Sequence, residues 1–196
     1  MRKKLVKNAL VLSAGILIGL QQQVIAQTNY KQSPESYITI AGTSTLHEWT
    51  MSSSSPQLVA AIETGAEGGV KEVKSLVLMV QSQSLKSANK GMDKNAYSAL
   101  KVDKYKSISF SMSSSAIQNN VIKCLGDLNI AGVTKQVSVD ATCTMKGDKS
   151  SLLCTGSKAL KMSDYKVEAP SFMFGTVRTG DEITISFNIE LIPNKK

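Results

Sequence analysis

Apolar residues recur at every second position through most of this chain, and that period constrains its fold more than any other feature. In "DEITISFNIEL", Ile183, Ile185, Phe187, Ile189 and Leu191 fall on one side, and Thr184, Ser186, Asn188 and Glu190 on the other. "KQVSVDATCTM" repeats the arrangement, with Val137, Val139, Ala141, Cys143 and Met145 opposed by Ser138, Asp140, Thr142 and Thr144. "SISFSM" does so through Ile108, Phe110 and Met112. Successive side chains of a strand point to opposite faces, so each segment reads as a half-buried antiparallel strand.

Turn signals divide these strands at fairly even intervals. "GAEGG" at 65–69 separates strands near 57–64 and 70–80, and "AGVTK" at 131–135 and "KGDKS" at 146–150 can each close a hairpin, since Gly supplies positive φ and Asp tolerates turns. The strands should therefore meander from neighbour to neighbour. The one helical stretch is "MDKNAYSALK", residues 92–101, with Ala96 and Leu100 four apart and Asp93 near the N-cap. Residues 27–36, "QTNYKQSPES", read as a polar lead-in without a core pattern, leaving 37–196 as the folded domain. An all-β domain of this kind closes as a sandwich or a barrel, because open sheet edges invite aggregation. Strands that nearly all carry one apolar and one polar face, in up-and-down order, favour a single antiparallel barrel of about eight strands.

The N-terminus points to export. Arg2, Lys3, Lys4 and Lys7 precede the apolar run "ALVLSAGILIGL", followed by "VIA" and Gln27, which is the layout of a secretory signal peptide over residues 1–26. The run falls well short of the roughly 20 residues that span a bilayer, so the expected product is soluble, and periplasmic or secreted. Cleavage would remove four basic residues and no acidic one, lowering the formal charge from +8 to +4. The remaining chain has a single Arg, Arg178, and no basic run interleaved with aromatics, which argues against nucleic acid as a partner. Its length of about 170 residues suits one domain.

Four segments resemble the YceI-like family, also called polyisoprenoid-binding proteins, in order and approximate spacing. They are "GTSTLHEWTM", "MDKNAYSALKVDKYKSISF", "GDLNIAGVTKQVSVD" and the closing "TGDEITISFNIEL". The resemblance implies an elongated, lipocalin-like antiparallel barrel whose apolar interior holds a long isoprenoid chain, in proteins that are usually periplasmic or secreted.

Other chemistries fare worse. His47 is the only His, no G-x-S-x-G occurs, and the strand period puts His47 mid-strand, so a Ser-His-Asp triad is not expected. Cys124, Cys143, Cys154 and His47 would make a Cys₃His set, but closed zinc sites draw on close Cys pairs, and these cysteines are separated by 19 and 11 residues. Each cysteine lies on an apolar strand face, so the readings that stand are buried small hydrophobes or, in an oxidising compartment, a disulfide between Cys143 and Cys154 across the "KGDKS" hairpin. No C-x-x-C-H is present for haem, and no cofactor, metal or catalytic residue is expected.

His47 and Trp49, the latter the only Trp, stand two residues apart in "AGTSTLHEWTM", so on a strand they share a face with Met51. The expected cavity lining is His47, Trp49, Met51, Phe110, Met112, Ile122, Leu128, Phe172, Phe174 and Phe187. His47 is placed where the cavity meets a lipid head group or water, since an imidazole facing an apolar interior needs a polar partner. The expected function is that of an exported carrier or store of a polyprenyl or isoprenoid-quinone lipid, with transient membrane contact during exchange. The alternative is an envelope-stress or assembly scaffold, its barrel filled by side chains and its partner surface outside.

Overall fold

The computed structural model describes residues 27–65, 68–147, 150–172 and 175–194. The strands are β1 (Gln27–Gln32), β2 (Tyr37–Ser44), β3 (Glu48–Ser53), β4 (Gln57–Thr64), β5 (Val70–Gln81), β6 (Ser107–Gln118), β7 (Val121–Ile130), β8 (Val133–Met145), β9 (Leu152–Lys161), β10 (Ser171–Phe172) and β11 (Val177–Pro193). Among the described residues there are also one α-helix, α1 (Lys90–Ala99), and the short 3₁₀ turns Ser82–Ser84 and Met162–Tyr165. Residues 1–26, expected to be a signal peptide, lie outside the described residues.

Eight strands close a barrel in the order β1-β4-β5-β6-β7-β8-β9-β11, and β11 returns to β1 through Tyr30 opposite Pro193 and Gln32 opposite Leu191. Every ladder is antiparallel, as the alternation requires. The long strand β11 serves two partners along one edge: its C-terminal end pairs with β1, and residues Thr179–Asn188 pair with β2. β1 and β2 thus run in the same direction along β11, interrupted at residues 33–36, and β3 and β4 form a second interrupted pair. β2 and β3 stand outside the closed ring.

The free edge of β3 is covered locally. Ser52 exchanges both backbone hydrogen bonds with Lys86, and Ser53 Oγ lies 2.7 Å from Ser84 Oγ, so the segment after β5 caps β3 before the chain enters α1. The inward faces follow the period of two: Ile122, Cys124, Leu128 and Ile130 of β7, and Ile189 and Leu191 of β11, are buried, with Leu152 of β9 between them. In β6 the phase slips at a bulge between Met112 and Ser114, where one extra residue returns the pattern to register.

Three sequence expectations are corrected. The supposed lead-in is a barrel strand: β1 pairs with β4 and β11, and Tyr30 is a core residue. With one large apolar residue among six, β1 carries no readable alternation, and its place comes from the ladder bonds that close the ring. The helix begins two residues before Met92, because the cap is Asn89, whose side-chain oxygen accepts from Gly91 N and Met92 N. Asp93 is buried instead and accepts from both the backbone N and the Oγ of Ser87. Two-residue hairpins occur at Ala131–Gly132, inside the expected turn, and at Asn119–Asn120, which composition did not flag; all four residues have positive φ.

Candidate functional site

At the end of the barrel where β2 and β3 stand outside the ring lies a half-open cavity of about 370 Å³. Four groups of elements build it. β2 and β3 supply Ile40, Ser44, Trp49 and Met51, with His47 from the loop between them; α1 supplies Met92, Ala96 and Ala99, flanked by Asn89 and Leu100. The 3₁₀ turn Met162–Tyr165 with Val167 contributes from one side, and Thr179 and Ile183 of β11 from another. Its deepest side chains, Met51, Leu85, Ile130, Met162, Tyr165 and Val167, are all buried.

Helix geometry explains the contribution of α1. Met92, Ala96 and Ala99 recur at helical spacing on one face, and Leu100 continues it past the C-terminus, so the apolar stripe faces the cavity. The other side of α1 is tied down: Tyr97 Oη donates to the carbonyls of Gln83 and Leu85, and Lys86 Nζ donates to Tyr97 Oη at 2.6 Å.

The strand β3 positions the indole. Trp49 Nε1 donates to the carbonyl of Thr43 at 3.0 Å, and the ring lies across Gly42, its direct cross-strand partner. A β-carbon on Gly42 would fall 2.8 Å from Trp49 Cε2. With its one polar atom satisfied by the backbone, the indole offers the cavity only its apolar surface.

His47 is not on a strand. Ser44 Oγ accepts from the backbone N of Leu46 and of His47 and donates to the His47 carbonyl, folding residues 45–47 into a loop so that β3 starts at Glu48. Serine hydroxyls favour such local turns, and here that preference outweighs the alternation. His47 is exposed at the cavity rim, and its Nδ1 lies 2.7 Å from the Glu48 carbonyl. A carbonyl can only accept, so Nδ1 carries the hydrogen.

The opposite side of the cavity is fixed by a bulge in β11. From Thr179 to Ile183 five β11 residues oppose three of β2, from Ser44 to Gly42, and the extra length presents Asp181 to the 3₁₀ turn. Asp181 Oδ1 accepts from Ser163 N at 2.8 Å and Oδ2 from Ser163 Oγ at 2.6 Å. These bonds hold the Asp181 carboxyl below its ordinary pKa. They also fix the turn that carries Met162 and Tyr165. The charged and titratable cavity residues at the surface are His47 and Lys161, with no carboxylate among the described lining residues.

Of the residues expected to line the cavity, His47, Trp49 and Met51 come together on it. Phe110, Ile122 and Leu128 belong to the packed core, with Met112 and Phe187 against it, and none of the five is in the lining. Their parity is inward, as expected, but they fill the barrel: Phe110 lies against Gly126 and Phe187 against Gly156, closing the space those glycines leave. Phe172 falls on β10 opposite Val177, and Phe174 lies outside the described residues. Sequence reasoning passed over α1, Leu85, Ile130 and the Met162–Tyr165 turn as lining elements.

Cys143 and Cys154, directly paired across β8 and β9, are joined by a disulfide with Cα atoms 4.1 Å apart. That bond takes two members of the Cys₃His set. Cys124 is a buried free thiol, its pKa raised by desolvation and then by Asp140.

No curated protein sequence matches the chain. Solved structures do. BcnA of Burkholderia cenocepacia is 17% identical, with a TM-score of 0.68 over 81% of this chain and 98% of its own. A polyisoprenoid-binding domain from Saccharophagus degradans, implicated in plant cell wall breakdown, is 9% identical, with a TM-score of 0.60 over 86% of this chain and 99% of that one. The YceI protein of Campylobacter jejuni is 19% identical with a TM-score of 0.56, each chain fully covered. At these identities the likeness is one of fold, and the barrel is shared. The YceI-like domain model matches residues 32–191, from the end of β1 nearly to the end of β11, and the chain belongs to that family.

Proposed function

We propose that the protein binds an isoprenoid lipid, of polyprenyl or isoprenoid-quinone type, in the cavity between β2–β3, α1 and the Met162–Tyr165 turn. It does so as an exported carrier or store, periplasmic or secreted, and not as an enzyme. The observation that carries this reading is the half-open apolar cavity with His47 and Lys161 at its surface, in a barrel of the YceI-like family. The polyisoprenoid-binding neighbour from Saccharophagus degradans supports the choice of lipid.

Energetics favour exchange over permanent capture. A buried methylene gains roughly 0.8 kcal/mol over water, but a membrane-derived tail starts in an apolar phase, so the two hydrophobic contributions nearly cancel. Transfer then depends on fit, ordering and the head group. Met51, Met92 and Met162 suit a lining that adapts to a flexible chain. The cavity lies at the low end of the size range for small-molecule sites, roughly 300–1,000 Å³, and a packed core that includes Phe110 and Phe187 occupies the barrel interior. Leu46, 69% exposed at the tip of the rim loop, gives the mouth an apolar point of contact with a bilayer.

Native mass spectrometry of the exported protein, purified without detergent and followed by lipid extraction, tests the proposal. A bound isoprenoid at near-stoichiometric level is expected. Protein free of lipid that also takes up none from isoprenoid-doped vesicles would refute it. N-terminal sequencing of the same sample should begin at Gln27, and a chain starting at Met1 would refute the processing.

A further inference from the structure

Among the described residues, one buried side-chain polar atom has no hydrogen-bond partner: the hydroxyl of Tyr165. The residue is 2% exposed and lines the cavity. Among the described residues the other buried hydroxyls are satisfied. Tyr97 has three partners, and Ser53 and Ser84 have each other. An unpaired buried hydroxyl is costly to maintain and ordinarily finds a partner, which makes the exception informative.

The turn that carries Tyr165 is held against relaxation. Asp181 grips Ser163 by two hydrogen bonds, Lys135 pairs with Asp164 at 3.1 Å, and Val167 N donates to the Met162 carbonyl at 3.1 Å. Leu85, Ile130, Met162 and Val167, which line the cavity with Tyr165, are all buried and apolar. Tyr165 therefore brings to this apolar part of the lining a buried hydroxyl that no protein group satisfies. Burial raises the pKa of the phenol, with a smaller contribution from Asp164, so the group keeps its proton and remains a donor.

We propose that Tyr165 sets ligand specificity: its hydroxyl donates a hydrogen bond to a neutral acceptor oxygen, of the kind a ring carbonyl presents, on an apolar-tailed ligand seated head-inward in the cavity. The proposal rests on the cavity being the lipid site. A neutral acceptor fits better than an anion, because a charge desolvated against one neutral donor, near the Asp164 carboxylate, would go largely uncompensated. It also places the ligand's polar end at the floor, away from His47. Sites built around a buried donor discriminate strongly against ligands that leave it unpaired.

The test uses the mature chain and Tyr165→Phe, with three probes sharing one tail: farnesyl-benzoquinone, farnesyl-benzene and farnesyl phosphate, their affinities measured by native mass spectrometry. The wild type should bind the quinone about tenfold more tightly than the hydrocarbon, the equivalent of about 1.4 kcal/mol. Tyr165→Phe should lose that preference while keeping its affinity for the hydrocarbon. Without ligand, its melting temperature should hold or rise, since an unpaired hydroxyl has been removed; a purely structural tyrosine would lower it. Equal binding of quinone and hydrocarbon by the wild type, or a preference that survives in Tyr165→Phe, overturns the specificity role and leaves the lipid site standing. Tightest binding of the phosphate, lost in Tyr165→Phe, overturns the neutral acceptor in favour of an anionic head. Failure of all three probes to bind the wild type overturns the lipid site itself.

Discussion

Gly42 and Trp49 form one cross-strand pair, and the missing β-carbon on the first is what lets the indole of the second lie across it. An alanine at 42 has no room, because the atoms it would meet belong to a rigid ring anchored through Nε1 to Thr43. Gly42→Ala should therefore displace the indole and shift its emission, with a stability loss of about 1–3 kcal/mol typical of overpacking. Uptake of lipid from vesicles should fall in parallel. An unchanged Trp49 spectrum in a folded variant would show that the indole does not depend on Gly42. Parity in the sequence put Trp49 and Met51 on the correct face because both sit in a regular strand. It put His47 on the strand, whereas Ser44 turns the chain so that His47 reaches the cavity rim from a loop. For Phe110 and Phe187, inward parity was right and still insufficient, since the same period describes a residue that lines a cavity and one that fills it. Tyr165 belongs to no period at all, and only the turn held by Asp181 brings it to the site.

At the scale of elements, the β7–β8 hairpin has a residue poorly suited to its backbone. Ala131 and Gly132 both take positive φ, 49° and 80°, the geometry of a two-residue turn that Asn-Gly favours. Gly132 is fixed in place, since a β-carbon there would lie 2.5 Å from Tyr105 Cζ. Ala131, part-buried against the core, is strained as alanine. Ala131→Asn should raise stability by about 0.5–1 kcal/mol, seen as a higher denaturant midpoint with an unchanged slope. A lower midpoint would mean that the methyl group contributes more than the dihedral strain removes. The turn was legible in the sequence through Gly132, as were the strands with clear alternation. β1 was not, because its identity lies in what it pairs with. The register of α1 was missed by two residues because two capping side chains, Asn89 and Asp93, compete for the same stretch, and the buried contacts of Asp93 with Ser87 settle the competition.

Two stabilising devices act on the whole molecule. The Cys143–Cys154 disulfide closes a loop of 11 residues across β8 and β9, for which chain entropy predicts about 2–3 kcal/mol. Replacing both cysteines by alanine should lower the melting temperature by about 5–10 °C in a domain of this size, without adding an exposed thiol, since Cys124 stays buried. A melting temperature unaffected by the double substitution, or by reductant in the wild type, would show that the bond contributes nothing.

The second device is a set of carboxylates spread around the barrel. Ser87 holds Asp93 below its ordinary pKa, Ser163 does so for Asp181, and Lys146, then Ser151, for Glu190. Each has a lower pKa folded than unfolded, so the unfolded chain takes up protons first as pH falls. Their contribution is complete above the ordinary carboxylate range of about 4 and is lost as pH drops through the folded values. Tyr30 and Tyr165 work in the opposite sense: burial raises their pKa values, so the stability they contribute is present below about pH 10 and lost above it. Melting temperature should therefore be flat between about pH 5 and 9 and fall on both sides. Glu190 gives the sharpest control, because Lys146 Nζ at 2.8 Å and Ser151 Oγ at 2.7 Å both donate to its Oε1, linking β11 to the β8–β9 connection. Glu190→Gln should melt lower than the wild type at neutral pH and lose part of the acid slope, so the two curves converge below pH 4. Parallel curves across the whole range would mean that Glu190 acts only through packing and that its charge is irrelevant to stability.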